Sequence, residues 1–287
     1  VRINRRAMEA DHLILLGAAT YHYHAGFGGG RKSLVPGLAD RATIAQNHSL
    51  TLDPAEDRIR PGVEIGRLDG NPVAEEMFEG ASFRPPDAII NTVLNPAGRL
   101  VGVFCGEMKR AHREACRCVE RVCRVEIANP ADLVVASAVG APNWIQSHKA
   151  LFNASRAVAP GGLVVLEAPC PEGLGDERFR YWIRIRRTGS LFARLRESVE
   201  VLGQTALSTR IRGERTLLVT ELNEGDRADL GIETAADMDS AVEAALERLK
   251  RDGVGRPTCI LMPHARYTVP FPAEGAAGAG ASPTFSQ

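Results

Sequence analysis

Apolar positions along the chain fall into two recurring patterns. Short, nearly uninterrupted apolar runs occupy residues 12–20 (HLILLGAAT), 87–96 (DAIINTVLNP), 131–143 (ADLVVASAVGAPN), 161–170 (GGLVVLEAPC) and 217–220. Bounded by glycine, proline or polar residues, they predict buried strands. Between them the spacing changes to that of a helix, at residues 107–122 (EMKRAHREACRCVERV), 145–158 and 239–251. In the last of these Ala241, Val242, Ala245, Leu246 and Leu249 line up as one apolar stripe. Strand and helix patterns trading places in this way predict an α/β fold of Rossmann-like βαβ units around a largely parallel sheet. Such a sheet offers its ligands the carboxyl ends of its strands. TCILMPHARYTVP adds a late strand; residues 1–270 then read as one α/β cofactor and substrate domain, and residues 271–287 as a disordered tail.

Composition narrows the class without changing that picture. Of 287 residues, 44% are apolar and 24% charged, which excludes wholesale disorder, collagen and a disulfide-dense miniprotein. Lys and Arg total 35, as do Asp and Glu, so overall charge gives no pull toward nucleic acid or an acidic membrane. No apolar run is long enough to span a bilayer and VRINRRAMEADH lacks the apolar core of a signal peptide, so a cytoplasmic protein is expected. Six cysteines include the cluster Cys116, Cys118 and Cys123, but no CxxC pair occurs, which favours reduced thiols over a metal or redox site.

The unusual chemistry sits at residues 21–50, YHYHAGFGGGRKSLVPGLADRATIAQNHSL. Gly26, Gly28, Gly29 and Gly30 expose backbone amides that can cradle an anion, or form a plain flexible turn. Two nucleotide motifs fail here. A P-loop needs glycine immediately before its lysine, where Arg31 precedes Lys32. A dinucleotide fingerprint needs its glycines directly after the strand and an acidic residue about 20 positions on; YHYHA intervenes and no such acid follows.

The same segment resembles the nickel-pincer nucleotide-dependent lactate racemase family. The family pattern is matched by His22, by Ala25, Gly26 and Phe27, by Gly29, Gly30, Arg31 and Lys32, by Pro36 and Gly37, and by Asn47 and His48. The likeness continues through NTVLNP, the AH of the following helix, the QSxK segment and GGLVVLEAPCPEGLG, to about residue 180. It implies an isomerase that racemises or epimerises a 2-hydroxy acid by proton-coupled hydride transfer to a nickel-pincer nucleotide. That cofactor is a pyridinium thioamide/thiocarboxylate mononucleotide, joined to the protein at Lys32 or held without a covalent bond. By the resemblance His48 is the nickel ligand, Gly29, Gly30, Arg31 and Lys32 bind the cofactor, and His22 exchanges the substrate proton. Gln146 and Lys149 bind the substrate, and Lys149 is also placed in the catalytic set.

That chemistry is self-consistent. Imidazole has a reference pKa near about 6.5, so His22 suits proton exchange near neutrality; nickel suits imidazole and sulfur ligands; a lysine pairs with a carboxylate. His24 reads as a loop residue supporting the site, and His112 as a packed or capping histidine. His148 and His264 are weaker candidates. The expected partners are a small 2-hydroxy acid and cofactor biosynthesis proteins, with no nucleic acid or membrane.

Two departures qualify the resemblance. The chain opens on Val1, which suggests that it corresponds to the family's C-terminal portion, the N-terminal domain being absent or supplied by a separate domain or subunit. In GAPNWIQSHKAL, Ile145 stands where the family has a tyrosine, and Trp144 is positioned to fill the space, which points to a 2-hydroxy acid other than lactate. The alternatives are a redox or other 2-hydroxy-acid enzyme using the same cofactor, or a nucleotide-binding half without full activity.

Overall fold

The computed structural model describes residues 1–95 and 97–273, and its chain divides into two compact units. The first comprises Val1–Cys123 and Arg194–Val201; the second comprises Arg124–Ala193 and Leu202–Gln287. Alternation of strands and helices along the sequence does not disclose this division, and a single region over 1–270 was the expectation.

The first unit contains α1 (Arg5–Met8), β1 (Ile14–Ala18), the short hairpin β2 (Tyr21–His22) and β3 (Gly26–Phe27), and a 3-10 turn at Gly30–Ser33. There follow α2 (Arg41–Ser49), α3 (Pro72–Ser82), β4 (Ala88–Leu94), β5 (Leu100–Gly106) and α4 (Met108–Cys123). Asp40 and Asn71 cap α2 and α3 by accepting backbone N–H groups, and Pro72 opens α3 where no partner for its nitrogen is needed. β4 is central: parallel to β1 and antiparallel to β5. The sheet is therefore mixed. Leu15, Ile89, Asn91 and Val93 are buried on one face, and α4 buries Met108, Ala111, His112, Ala115, Cys116 and Val119 at helical spacing. The other face stays open at Leu16 and Val103, so the apolar run that predicts a fully buried first strand is buried on one side only.

The second unit is the Rossmann-like part. It contains β6 (Arg124–Ile127), β7 (Ala131–Ser137), α5 (Trp144–Ser155), β8 (Val158–Glu167), α6 (Glu177–Ile183), α7 (Thr188–Glu197), α8 (Val201–Gly213) and β9 (Thr216–Val219). α9 (Glu224–Leu230), β10 (Glu233–Ala235), α10 (Met238–Arg251), β11 (Cys259–Met262) and β12 (Val269–Pro272) complete it, with the end of α7 belonging to the first unit. Five strands in the order β10-β9-β8-β7-β11 form an all-parallel sheet, and β12 pairs parallel with β6 beside it. α10 lays Ala241, Ala245 and Leu249 on Leu133, Leu163, Val165 and Leu217. The alternate positions Val134, Val164, Leu166 and Leu218 are buried as well, as a sheet covered on both faces requires.

The α/β architecture of parallel strands and intervening helices stands as expected. Phe271 and Pro272 lie in β12, so the expected tail does not begin at 271; its part from 274 to 287 lies outside the described residues. The arginine-rich run RFRYWIRIRRTGS ends α6 and starts α7 with an irregular link at 184–187, and its arginines are structural. Arg180 binds Asp226 and Asp229, Arg184 binds Asp229, and Arg186 donates to the carbonyls of Ala228 and Asp229. Among the described residues no helix is long and apolar enough to cross a membrane.

Candidate functional site

The glycine-rich loop of the first unit is shaped by contacts that only glycine permits. Gly26 has φ +69°, and a Cβ there would sit 1.9 Å from the carbonyl oxygen of Arg67. Gly29 has φ +117° and ψ 179°, a region closed to side chains, and lies against the ring of His112. Gly30 donates its amide to Oδ1 of the buried Asn91 at 2.7 Å. A polar residue in the middle of a buried strand thus fixes the backbone from which Arg31 and Lys32 project.

Arg31 turns inward. It is fully buried, its Nη2 donates to the carbonyls of Ala25 and Phe27 at 3.2 Å each, and its guanidinium lies 4.4 Å from the ring centre of Phe78. Nη1 meets Nε2 of His112 at 2.8 Å. Burial pushes the Arg31 pKa down to about 10. Arg31 therefore braces the loop through both terminal nitrogens, while its buried Nε has no hydrogen-bond partner. His112 is packed in the core, and Cys116, its neighbour one turn on, has its thiol pushed up to about 12 by burial, far from a reactive thiolate. All six cysteines are free thiols.

Lys32 follows on the 3-10 turn, half-buried. His48 is buried in the last turn of α2, where its Nδ1 donates to the carbonyl of Ile44 at 2.8 Å. That bond fixes the tautomer with the proton on Nδ1 and leaves Nε2 as the ring's acceptor nitrogen. Burial lowers the His48 pKa and the nearby Lys32 charge lowers it further, so the ring is neutral, as a ligand must be. Lys32, sixteen residues earlier in sequence, lies close enough for its charge to act on the His48 ring. His22 lies on the β2–β3 hairpin, and its Nδ1 accepts the backbone amides of His24 and Ala25 at 3.3 and 3.1 Å. With Nδ1 accepting, the proton of the neutral ring sits on Nε2. His24 is buried beside it, its ring 4.0 Å from that of Tyr23.

In the second unit, α5 carries Gln146 and Lys149 one turn apart, and Lys149 Nζ donates to Gln146 Oε1 at 2.8 Å. Asn143 caps the helix. Burial, and then the charge of Arg266, lower the Lys149 pKa. Trp144 is fully buried with Nε1 donating to Thr209 at 3.1 Å, so it belongs to the core and does not fill a substrate pocket. His148 is buried, with its pKa pushed down to about 3 by desolvation. Asn91, Asn153 and Arg266 were not picked out from the sequence. Asn91 was legible as a polar residue inside an apolar run; the other two are meaningful only through distant partners.

Comparison with known proteins places these residues in context. Residues 1–59 match the family model described as the lactate racemase N-terminal domain. This overturns the expectation that the family's N-terminal domain is absent from the chain. Lactate racemase of Thermoanaerobacterium thermosaccharolyticum is 34% identical over 187 residues, 64% of this chain and 42% of the relative. That of Lactiplantibacillus plantarum is 34% identical over 180 residues, 62% of this chain and 41% of the relative. The solved lactate racemase apoprotein from T. thermosaccharolyticum superposes with a TM-score of 0.81 at 26% identity, over 93% of this chain and 64% of that one. A Thermotoga maritima protein shares the fold alone, with a TM-score of 0.63 at 15% identity over 93% of this chain and 68% of that one. The chain spans less than half the length of the curated relatives it matches, and its similarity in sequence and fold runs consistently to lactate racemase.

Proposed function

We propose that this chain belongs to a racemase or epimerase of a 2-hydroxy acid that works with a nickel-pincer nucleotide. The observation that carries the reading is His48, a buried imidazole whose Nδ1 is held by the Ile44 carbonyl and which feels the charge of Lys32. Lys32 projects from the turn that follows the glycine-shaped loop, and the His48 ring keeps Nδ1 engaged and Nε2 as its acceptor nitrogen. Among the described residues no group of three or more His, Cys, Asp or Glu could hold a metal by itself. One imidazole beside one lysine suits a metal whose remaining ligands come from an organic group attached at that lysine.

In this reading His48 ligates the nickel through Nε2 and Lys32 holds the nucleotide, with the backbone at Gly29 and Gly30 shaping the approach. When bound, that group would supply an electrophilic ring carbon able to accept and return a hydride. His22 takes the hydroxyl proton of the substrate and gives it back. Its Nδ1, already engaged by the amides of His24 and Ala25, holds the ring in place. Lys149 pairs with the substrate carboxylate, and Gln146 orients the Lys149 amine. Because the bound group would give back what it accepts and His22 would return the hydroxyl proton, the overall isomerisation would need no external oxidant.

The test is intact-protein mass spectrometry with nickel analysis on protein produced alongside the cofactor-making enzymes, combined with chiral analysis of 2-hydroxy acids. The expected result is a nickel-containing adduct at Lys32, interconversion of enantiomers without keto-acid accumulation, and loss of both adduct and nickel in Lys32→Ala. His22→Ala should keep the nickel and lose turnover by about 10²-fold or more. Full activity in nickel-free protein overturns the reading.

A further inference from the structure

The parallel sheet of the second unit winds outward from β7 through β8 and β9 to β10, then returns to place β11 on the other side of β7. The winding reverses between β7 and β11, and the loops leaving the carboxyl ends of these two strands are where such a sheet opens a crevice for ligands. The first loop, residues 138–143, has Gly140 at φ +84° and leads into α5 with Gln146 and Lys149. The second, residues 263–268, carries Arg266.

A specific contact holds the two loops together. Asn153 lies one turn beyond Lys149 on the same face of α5. It is buried, and its Nδ2 donates to the carbonyl of Ala265 at 2.8 Å. Amides of Tyr267 and Thr268 close the loop on the carbonyl of His264 at 3.0 Å. Arg266 is thereby brought against the β7 loop, where a Cβ on Gly140 would lie 3.5 Å from its Nη1. It is close enough for its charge to depress the Lys149 pKa.

Two cations therefore share the reversal point, and among the described residues neither has a carboxylate partner. Lys149 bonds only the neutral Gln146 oxygen. Arg266 stacks 5.3 Å from the Tyr267 ring centre and keeps a buried Nε with no hydrogen-bond partner. Lys149 is exposed and Arg266 half-buried, and one monoanion neutralises only one of their two charges, where a dianion neutralises both.

We propose that Arg266 is a specificity-determining residue which, beside Lys149, selects a 2-hydroxy acid bearing a second carboxylate. Lys149 takes the carboxylate next to the carbinol carbon. The Arg266 fork takes the distal one, a match of planar geometry that a lysine would not reproduce. A substrate with a methyl group there leaves the guanidinium donors unpaired, and a site built to hydrogen-bond a polar group discriminates strongly against its absence. The inference rests on the reading of the chain as a 2-hydroxy-acid enzyme.

The experiment is calorimetric binding of malate and of lactate to the whole chain, as wild type, Arg266→Gln and Arg266→Lys. Malate should bind at least about tenfold more tightly than lactate. Arg266→Gln should remove that preference while leaving lactate within about twofold, and Arg266→Lys should restore part of it. Equal affinities in the wild type, no binding of either acid, a preference surviving Arg266→Gln, or equal weakening of both acids overturns the proposal. Chiral assays of the cofactor-loaded protein separate the two claims. Arg266-dependent malate binding without racemisation of any 2-hydroxy acid fails the activity reading alone; racemisation of lactate with no malate preference fails the specificity reading alone.

Discussion

Nε2 of His112 lies 2.8 Å from Arg31 Nη1 and 2.7 Å from the carbonyl oxygen of Gly28. Arginine can only donate and the carbonyl can only accept, so the neutral ring serves one of them at a time. His112 thus ties the glycine loop and its buried arginine to the helix behind the sheet.

Replacing that ring should be costly. His112→Ala leaves a buried guanidinium N–H unpaired and opens a cavity beside Gly29, and a loss of about 3 kcal/mol or more is expected. Urea unfolding of the two proteins at neutral pH reads it, with the m-value checked for constancy. A loss below about 0.5 kcal/mol would show that the network contributes little.

The acid stability follows from the same residue and from His148. Burial, the larger cause in each, pushes both pKa values down to about 3, against about 6.5 when the chain is unfolded. Between those values the unfolded chain binds more protons, so stability is fully present above about pH 6.5 and is lost as pH falls toward 3. Stability measured at pH 7, 6 and 5 should decline, before most carboxylates titrate. His112→Gln and His148→Gln should each flatten the decline; an unchanged slope in both would refute the assignment.

How much of this was readable from residues alone depends on where the partners lie. The glycine loop was legible because backbone at Gly26 and Gly29 leaves no room for a side chain, and the α10 stripe because its apolar residues recur at helical spacing. The burial of Arg31 was not legible because its partners are two backbone carbonyls and a histidine 81 positions away, none of which marks a charged residue as buried. β5, LVGVFCG, went unnoticed because it has one open face and two glycines, and therefore lacks the continuous apolar run of the inner strands. Arg266 gained meaning only from the strand order, which no periodicity discloses.

A second structural arginine gives a contrast with Arg31. Arg180 donates to Asp226 at 2.6 Å and to Asp229 at 2.9 Å, and Asp226 is 5% exposed. Arg180→Met strands a buried carboxylate, and a destabilisation of about 3 kcal/mol is expected. The exposed Arg5–Glu9 pair is the control, since Arg5→Ala should not move the melt measurably. Thermal unfolding of both variants decides, and equal midpoints would mean that the Arg180 network is no stronger than a surface pair.

Asn153 is the residue through which the placement of Arg266 can be tested without removing a charge. Its amide holds the Ala265 carbonyl, so Asn153→Ala frees the loop that carries the guanidinium while leaving Lys149 and Arg266 in the chain. The lost hydrogen bond should cost about 1 kcal/mol of stability. Because the distal contact depends on loop position and the Lys149 contact does not, malate binding should weaken several-fold while lactate binding holds. Parallel titrations at two salt concentrations add a readout that general loosening would not reproduce. The salt dependence of malate binding should fall toward that of lactate as the second ion pair is lost. If both acids weaken together, Asn153 supports the fold of the crevice and not the aim of Arg266.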